Sequence, residues 1–372
     1  MSLKTRAFSL LVVFATLSVL MSGCTVLHLG KARKRAADQK NTPQVNEPAS
    51  EEEQRRIRDS EQAYATLREN PEALPQIPDN KGDELEYAAD VYSGIFYEAL
   101  INRDFDLIDR AADEARESKE QTLAGVWKLE RIYDGLQRPR VETSDAEWKR
   151  HIRLLREWMD KKPDSETAPV AVAASVFKFG WHARGHGYAD SVTPENRQRF
   201  FEGIILAKGL LTSITDKTSC PMWYSLMLQI ALSENWDRQA YEELWEHAVQ
   251  FEPTWYEYYR QKAIYLLPKW HGEPGDLDAY ANSYATRPGD DNARIYFLII
   301  QCASASDKNE RQKPLAHYGV FKQGFSEMRK THGVTRRTQG IAFEKAMLAR
   351  DATFAQEVLA DINRKPDAVA RN

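Results

Sequence analysis

The chain has 372 residues, with 51 basic and 55 acidic side chains and a formal net charge of −4 at pH 7. This mildly acidic balance argues against nucleic acid as a partner, because phosphate contacts need concentrated Lys and Arg. Its three cysteines do not have the spacing of a zinc site. Aromatic residues make up 10% of the chain, which together with its length is ample for a large hydrophobic core.

The N-terminus has the layout of a secretory signal. Two basic residues precede an apolar run, residues 7–21, which is too short for a transmembrane helix of ~20 residues. The run leads into Ser22-Gly23-Cys24, which resembles the bacterial lipobox, whose cysteine is lipidated after the preceding peptide is removed. We therefore predict cleavage of residues 1–23 and acylation of Cys24. The alternative is a plain signal peptide with an incidental cysteine.

Acylation would anchor the protein to a membrane. Lipoproteins with Asp directly after the acylated cysteine resemble inner-membrane residents. This chain has Thr25 at that position, so we expect attachment to the outer membrane, with the body in the periplasm. Residues 24–50 are polar and have no apolar period, so we predict a flexible tether. Four basic residues there could rest on anionic headgroups or simply keep the linker soluble: Lys31, Arg33, Lys34 and Arg35.

Residues 51–372 show helical periodicity almost throughout, with prolines and glycines between the periodic runs. We therefore predict one all-α domain. The predicted helices span 51–69, 84–101, 104–117, 119–134, 145–161, 167–184, 194–215, 221–233, 237–250, 254–266, 275–286, 291–304, 314–331, 335–349 and 351–363.

A weak internal repeat indicates how these helices are arranged. It begins at Ala99, Ala231 and Ala346, and each time one helix ends, a short polar turn follows, and a second amphipathic helix runs back. One hairpin cannot bury its own apolar face, so neighbouring hairpins must stack. Tetratricopeptide-like spacing places Ala248 and Ala263 at positions where that motif has small residues. The expected fold is a stack of helical hairpins, a tetratricopeptide-like α-solenoid.

Four short segments are distinctive. They are GVWKL at 125–129, WHARGHGYA at 181–189, CPMWY at 220–224 and YLLPKWHGE at 265–273. Together they resemble an uncharacterised bacterial family, a domain of unknown function built of tetratricopeptide-like helices, which carries ARG-x-GYA and LLP-[KR]-W-x-G segments. The resemblance covers residues 95–300. It implies the helical fold and no particular activity.

The sequence RGHG at 184–187 is the main candidate for a ligand site. It follows a long predicted helix, which its glycines can end with positive φ. Arg184 could bind a carboxylate or phosphate, and His186 could act as an acid or base near Tyr188. Alternatively, this is a terminating loop in which Arg184 bonds nearby carbonyls. His182 and His186 have i, i+4 spacing, but further ligands are missing, so we expect no metal and no cofactor.

Aromatic residues provide a second group of candidates. Trp270 follows a helix break at Pro268, and we expect it to pack this turn onto the neighbouring hairpin; alternatively, it stacks on a sugar or peptide ligand. Six further rings could line a concave face, although aromatic residues at helical spacing more often belong to the core. They are Trp223, Tyr224, Trp255, Tyr256, Tyr258 and Tyr259.

Two cysteines follow Cys24 in the sequence. Cys220 and Cys302 could pair in the oxidising periplasm. Such a bridge would close a loop of about 82 residues and stabilise the fold by roughly 4–5 kcal/mol. The alternative is two separate buried thiols.

The sequence contains no catalytic signature such as a G-x-S-x-G elbow. Several carboxylates could serve a two-carboxylate hydrolysis, but their separations are not predictable: Glu234, Glu242, Glu243, Glu246 and Glu252. We therefore expect a non-catalytic, membrane-tethered scaffold that binds a protein or peptide, for example an adaptor or immunity lipoprotein. One alternative is a periplasmic hydrolase of cell-wall sugar or peptide that uses Arg184 and His186. Another is a spacer without a specific partner.

Overall fold

The computed structural model describes residues 50–70, 72–77, 83–140, 144–185, 191–215, 219–287, 289 and 291–363. The predicted signal peptide and tether, Cys24 included, lie outside the described residues, and so do His186 and Tyr188. The described residues belong to one compact unit. None of the helices in these ranges is long and apolar enough to cross a bilayer.

The fold is all-α, as predicted. The described ranges contain sixteen α-helices, one 3-10 turn at Leu123–Gly125 and no strand. The helices are α1 (Glu51–Glu69), α2 (Asp83–Ile101), α3 (Phe105–Ser118), α4 (Lys128–Leu136), α5 (Asp145–Lys161), α6 (Thr167–Arg184), α7 (Pro194–Thr212), α8 (Pro221–Ser233), α9 (Arg238–Phe251), α10 (Glu257–Tyr265), α11 (Asp276–Ala285), α12 (Asn292–Ser306), α13 (Lys308–Gln312), α14 (Tyr318–Thr331), α15 (Arg336–Leu348) and α16 (Ala352–Asn363).

Polar caps explain where many helices begin. The side chains of Ser50, Ser144, Thr193, Asp237 and Thr335 each accept a hydrogen bond from the backbone amide three residues later. Such caps satisfy amides that have no partner within the helix. The sequence signal and the observed start therefore agree within one or two residues at these helices.

The internal repeat is a repeat of one turn structure. Arg103, Asn235 and Arg350 have left-handed backbone angles, with φ of 61°, 59° and 59°. The next amide then bonds back to the alanine at which each copy of the repeat begins: Asp104 to Ala99 (2.9 Å), Trp236 to Ala231 (3.0 Å) and Asp351 to Ala346 (3.0 Å). This six-to-one bond after a left-handed residue is the Schellman motif. The three predicted hairpins are therefore confirmed in detail.

The helices stack in two rows. Even-numbered helices from α2 to α14 contact one another in succession, and we call them the inner row. The other row packs on it, with α3 against α2 and α4, α5 against α6, α7 against α6 and α8, and α9 against α8 and α10. Ala248 and Ala263 are fully buried where these helices meet. This arrangement is the predicted stack of helical hairpins.

Residues 119–127, here named the crossing segment, depart from the predicted helix over 119–134. Lys119, Ala124 and Gly125 have φ of 53°, 60° and 70°, and α4 begins only after this segment. The reason lies in distant contacts. Gln121 Nε2 and Trp127 Nε1 both donate to the carbonyl of Thr254, at 3.2 and 3.0 Å. The segment pairs its own backbone instead of continuing the helix, since the Thr122 amide donates to the carbonyl of Val126 at 2.6 Å and the Lys128 amide donates to that of Glu120 at 2.9 Å.

The helix predicted over 314–331 begins four residues later, at Tyr318. The short helix α13 before it was not predicted; it begins after Asp307, whose side chain accepts bonds from the amides of Asn309 and Glu310. Lys345 then donates to the carbonyls of Glu310 and Lys313, at 2.6 and 2.9 Å, which holds the turn before α14.

Candidate functional site

Arg184 and Trp270, two of the predicted ligand-binding residues, both contact Trp181. The Arg184 guanidinium lies 5.2 Å from the Trp181 ring centre, and the Trp270 ring meets Trp181 edge-on at 6.4 Å. Arg184 also lies 6.0 Å from the Phe200 ring and donates to the carbonyl of Gly185. The bond to Gly185 fits the helix-terminating alternative. Gly185 has φ of 75° and ends α6, as its residue type indicated.

Trp270 is 37% exposed and is therefore not a core residue, although its ring packs against Trp181 of α6. His271 also holds the turn, because its ring stacks on Tyr265 at 4.6 Å and its Nε2 lies 3.2 Å from the carbonyl of Leu232. The turn also leaves no space for a side chain at Gly272, which packs against the Leu266 backbone.

The aromatic residues suggested for a concave face belong mainly to the core. Tyr224 is partly buried. The other five are buried: Trp223, Trp255, Tyr256, Tyr258 and Tyr259. Trp223, Trp255, Tyr258 and Tyr259 have internal hydrogen-bond partners; for example, Trp255 Nε1 donates to Ser225 Oγ at 2.7 Å. The buried rings stabilise the stack.

Neither Cys220 nor Cys302 is in a disulfide. The sulfur of Cys220 lies 3.2 Å from the hydroxyl of Tyr133, and that of Cys302 lies 3.5 Å from the carbonyl of Arg260. The structure therefore matches the alternative to a disulfide, in which the two cysteines are separate thiols. Burial raises the pKa of Cys302 to about 12, so its thiol is protonated at neutral pH.

The carboxylates near α9 are engaged in structural contacts. Glu234 pairs with Lys208 at 2.6 Å, and Glu252 pairs with Lys119 at 2.7 Å. Glu242 pairs with Arg238 and with the buried Lys262, whose Nζ also lies 3.5 Å from the Trp245 ring centre. The Glu234–Lys208 and Glu242–Lys262 pairs join neighbouring helices, the Glu242–Arg238 pair lies within α9, and Glu252 pairs with the crossing segment through Lys119.

A group of charged side chains on the inner row is the strongest candidate site. We call it the inner cluster; it comprises Glu130, Arg131 and Asp134 of α4, Lys178 of α6, and Glu257 and Arg260 of α10. All six side chains are partly buried. Helices α4 and α10 are not neighbours in the row, yet the charges of Glu130 and Asp134 interact with that of Glu257.

The electrostatics of the inner cluster are dominated by burial. Burial first, and then the charges of Glu257 and Asp134, raise the pKa of Glu130 to about 8, against the opposing effect of Arg260 and Arg131. Burial likewise raises the pKa of Asp134 and of Glu257. Glu130 is therefore protonated at neutral pH and can donate a hydrogen bond.

The ion pairs inside the cluster are loose, and some polar atoms there are unsatisfied. Arg131 approaches Asp134 to 3.4 Å and Arg260 approaches Glu257 to 3.6 Å, each within one helix turn. Among the described side chains, Arg131 Nε and Gln261 Oε1 are buried without a hydrogen-bond partner, although Gln261 Nε2 donates to Glu257. Buried polar atoms normally have partners, so this surface has capacity for a polar ligand.

The crossing segment lies beside the inner cluster and is held through its backbone. Arg260 Nη2 donates to the carbonyl of Ala124 at 2.8 Å, and the Ala124 amide donates to the carbonyl of Gly333 at 3.3 Å. The ring of Tyr256 packs so closely on Gly125 that a Cβ there would lie 2.8 Å from it. The Arg260 side chain of the inner row and the backbone of the loop after α14 thus bond to the main chain of a non-helical stretch.

The inner cluster was missed in the sequence because no local pattern reveals it. Its members come from three helices, and charged residues of this kind usually lie on solvated helix faces. Only the stacking of the helices brings them together. Among the described residues, no group of three or more His, Cys, Asp or Glu side chains could hold a metal ion.

Comparisons of the chain with protein-family models, with curated proteins and with solved structures find no match. The resemblance of the four short segments to a family of unknown function therefore stays a prediction. The contacts described above give some of these residues structural roles, since Trp127 is buried against Thr254 and Trp223 donates to the carbonyl of Leu211 at 2.9 Å.

Proposed function

We propose that the protein is a non-catalytic helical-repeat scaffold that binds an extended peptide, or an extended segment of a protein, on its inner row. We further propose that a lipid on Cys24 holds it at a bacterial membrane, most simply the outer membrane with the body in the periplasm. The observation that carries the binding proposal is the inner cluster beside the crossing segment.

The inner cluster supports a peptide ligand because it presents both signs of charge on one partly buried surface. Carboxylates of Glu130, Asp134 and Glu257 can accept from basic side chains or donate when protonated, and Lys178 can pair with acidic ones. Partly buried charges of this kind are screened less by salt than exposed ones. The ligand class that matches mixed charge on an elongated surface is a polar peptide.

The crossing segment supports the extended conformation of the ligand. Arg260 already donates to the carbonyl of one non-helical backbone stretch, and Gly333 accepts from its amide. Main-chain hydrogen bonds give affinity for extended chains regardless of side chain, whereas neighbouring pockets and charges give specificity. A peptide that continues along the inner row would use the same kind of bond.

The experiment is crosslinking and capture from intact cell envelopes with variants in which amides replace ionisable side chains. Glu130→Gln with Lys178→Gln replaces one carboxyl and one ammonium group of the inner cluster. Lys149→Gln with Glu246→Gln makes the same change on the outer helices α5 and α9, where both side chains are exposed. Melting temperatures first establish that both variants are folded.

We expect one partner to be captured by the native protein and by the outer variant and to be strongly reduced with the inner variant. Equal capture by all three proteins would contradict the placement of the ligand on the inner row. Capture of nothing specific by the native protein would leave the spacer hypothesis as the better description.

The anchor is tested separately by Cys24→Ala. Loss of acylation should release the protein from the membrane fraction, because a stable anchor needs the buried acyl chains. Continued retention of the variant in washed membranes would contradict the lipid anchor.

A second candidate function, hydrolysis of cell-wall sugar or peptide, is favoured by one observation. A carboxyl group that stays protonated at neutral pH beside other carboxylates is the acid–base arrangement of glycoside hydrolysis, and Glu130 has that environment. Purified protein would then degrade cell-wall fragments, and Glu130→Gln would abolish the activity. Absence of turnover by the native protein would remove this candidate and leave the binding proposal intact.

A further inference from the structure

The outer face of α7 exposes three large apolar side chains. Phe201, Ile205 and Leu206 are 44%, 63% and 55% exposed. The opposite face of α7 is buried against α6, where Gly203 lies so close to Gly180 that a Cβ would be 2.9 Å from its Cα. The orientation of α7 is therefore fixed by the glycine crossing, and its apolar face is held toward solvent.

Ring contacts beneath this face join it to the turn that carries Trp270. The buried Phe200 contacts Phe201 at 5.3 Å and Trp181 at 4.8 Å, and the partly buried Trp181 contacts the 37% exposed Trp270. The resulting surface is named the outer patch. Its exposed members are Phe201, Ile205, Leu206 and Trp270, and Phe200 and Trp181 support them from below. A contiguous apolar patch on a protein surface marks an interaction site far more often than scattered apolar residues do.

Basic side chains border the outer patch. Arg184 lies on the Trp181 ring, and the exposed Lys269, next to Trp270 in the chain, donates to the carbonyl of Ser306 at 2.5 Å. Lys208, one turn after Ile205, pairs with Glu234 at 2.6 Å, and the exposed Glu202 is an acidic neighbour. Trp and Phe rings with aliphatic side chains and a border of Lys and Arg are the composition of surfaces that lie in a membrane interface.

We propose that the outer patch lies against the lipid surface to which the acylated protein is attached. This inference rests on the proposed anchor at Cys24. Residues 25–49 could reach at most ~85 Å when extended, whereas a body of this size has a radius of gyration of about 20 Å, so the anchor allows any face to meet the bilayer. Attachment also raises the local concentration of lipid, so a small patch suffices to orient the body.

The test is hydroxyl-radical footprinting of the acylated protein, reconstituted in vesicles of phosphatidylethanolamine and phosphatidylglycerol and compared with the Cys24→Ala protein in solution. We expect oxidation of Phe201 and Trp270 to fall by about threefold or more in vesicles, since a membrane interface excludes water from inserted side chains. Met347, on α15, is 57% exposed and serves as the internal control. Its oxidation should not change.

Two matched pairs of substitutions sharpen the result. Ile205→Asp with Leu206→Asp should remove the protection of Phe201 and Trp270, whereas Met347→Asp with Leu348→Asp, a similarly exposed adjacent pair, should leave it unchanged. In the second variant Leu359, which is 41% exposed, replaces Met347 as the internal control. Protein that floats with the vesicles without protection of Phe201 would overturn this inference and leave the anchor standing. Protein that does not float would overturn both.

A third arm separates lipid from protein as the occupant. Footprinting in native envelopes should give the same protection as in pure lipid vesicles. Protection that occurs only in native envelopes would assign the outer patch to a protein partner and would contradict the lipid assignment.

Discussion

Glu130 shows how strongly the inner cluster acts on a single residue. In the folded protein its pKa is about 8, against an ordinary value of 4.5. Between these values the folded state holds a proton that the unfolded chain has lost. The free energy of unfolding therefore falls as pH rises from about 4.5 to about 8. Over this range the folded protein must either keep a proton on Glu130 that the solution no longer favours or bury its charged carboxylate. This carboxyl with a raised pKa lies at the surface where we place the ligand, and perturbed pKa values are typical of functional sites.

We predict that Glu130→Gln removes this pH dependence. At about pH 8.5 the variant should be more stable than the native protein by about 1–2 kcal/mol after allowance for solvent screening, and at about pH 4.5 the two should be similar. Thermal unfolding across this pH range measures the difference. Glu246→Gln, at an exposed position on α9, is the control and should follow the native curve. Parallel curves for native protein and Glu130→Gln would show that Glu130 ionises normally.

Among the structural elements, the Schellman turns of the hairpins carry local strain that glycine would relieve. Arg350 is exposed and adopts φ of 59°, a conformation that L-residues with a side chain disfavour. Ala349, its neighbour, has an ordinary helical conformation, with φ of −80° and ψ of −6°. The two positions lie in the same turn and differ in the sign of their backbone φ angle.

We predict that Arg350→Gly stabilises the protein by about 0.5–1 kcal/mol, whereas Ala349→Gly destabilises it by a similar amount. Urea unfolding of both variants gives the two signs in one experiment. If Arg350→Gly were destabilising, an interaction of the Arg350 side chain would outweigh the backbone strain.

These turns also show why the sequence predicted most elements well. Caps such as Asp237, the helical period and the repeated alanines act over a few residues, so the hairpins follow from local information. The crossing segment could not be predicted in this way. Its helical pattern is overridden by bonds to Thr254 and Gly333, which lie more than a hundred residues away in the chain. The inner cluster could not be predicted from the sequence for the same reason, since only the stacking of helices brings Glu130 near Glu257.

On the scale of the whole molecule, the crossing segment distinguishes this protein from an open solenoid. In an open solenoid each repeat contacts only its neighbours, so stability is nearly a sum over adjacent repeats. Here Ala124 bonds to Gly333, Gln121 and Trp127 bond to Thr254, and Gly125 packs on Tyr256. The first, middle and last thirds of the described helices are therefore coupled directly, and the native protein should unfold in one cooperative transition.

Gly125→Ala tests this coupling. The substitution places a Cβ at 2.8 Å from the Tyr256 ring and at a left-handed φ of 70°, so we expect a loss of about 2–4 kcal/mol. Gly319→Ala on α14 is the matched control, because its Cβ would meet nothing within 4 Å, and a helical Gly-to-Ala change should stabilise by about 0.5–1 kcal/mol. Denaturant unfolding followed by both tryptophan fluorescence and circular dichroism should give coincident curves for the native protein and for the control. In Gly125→Ala the two curves should separate, because the N-terminal hairpins lose their link to α10 and α14. Coincident curves in the Gly125→Ala variant would show that contacts between adjacent hairpins alone make the stack cooperative.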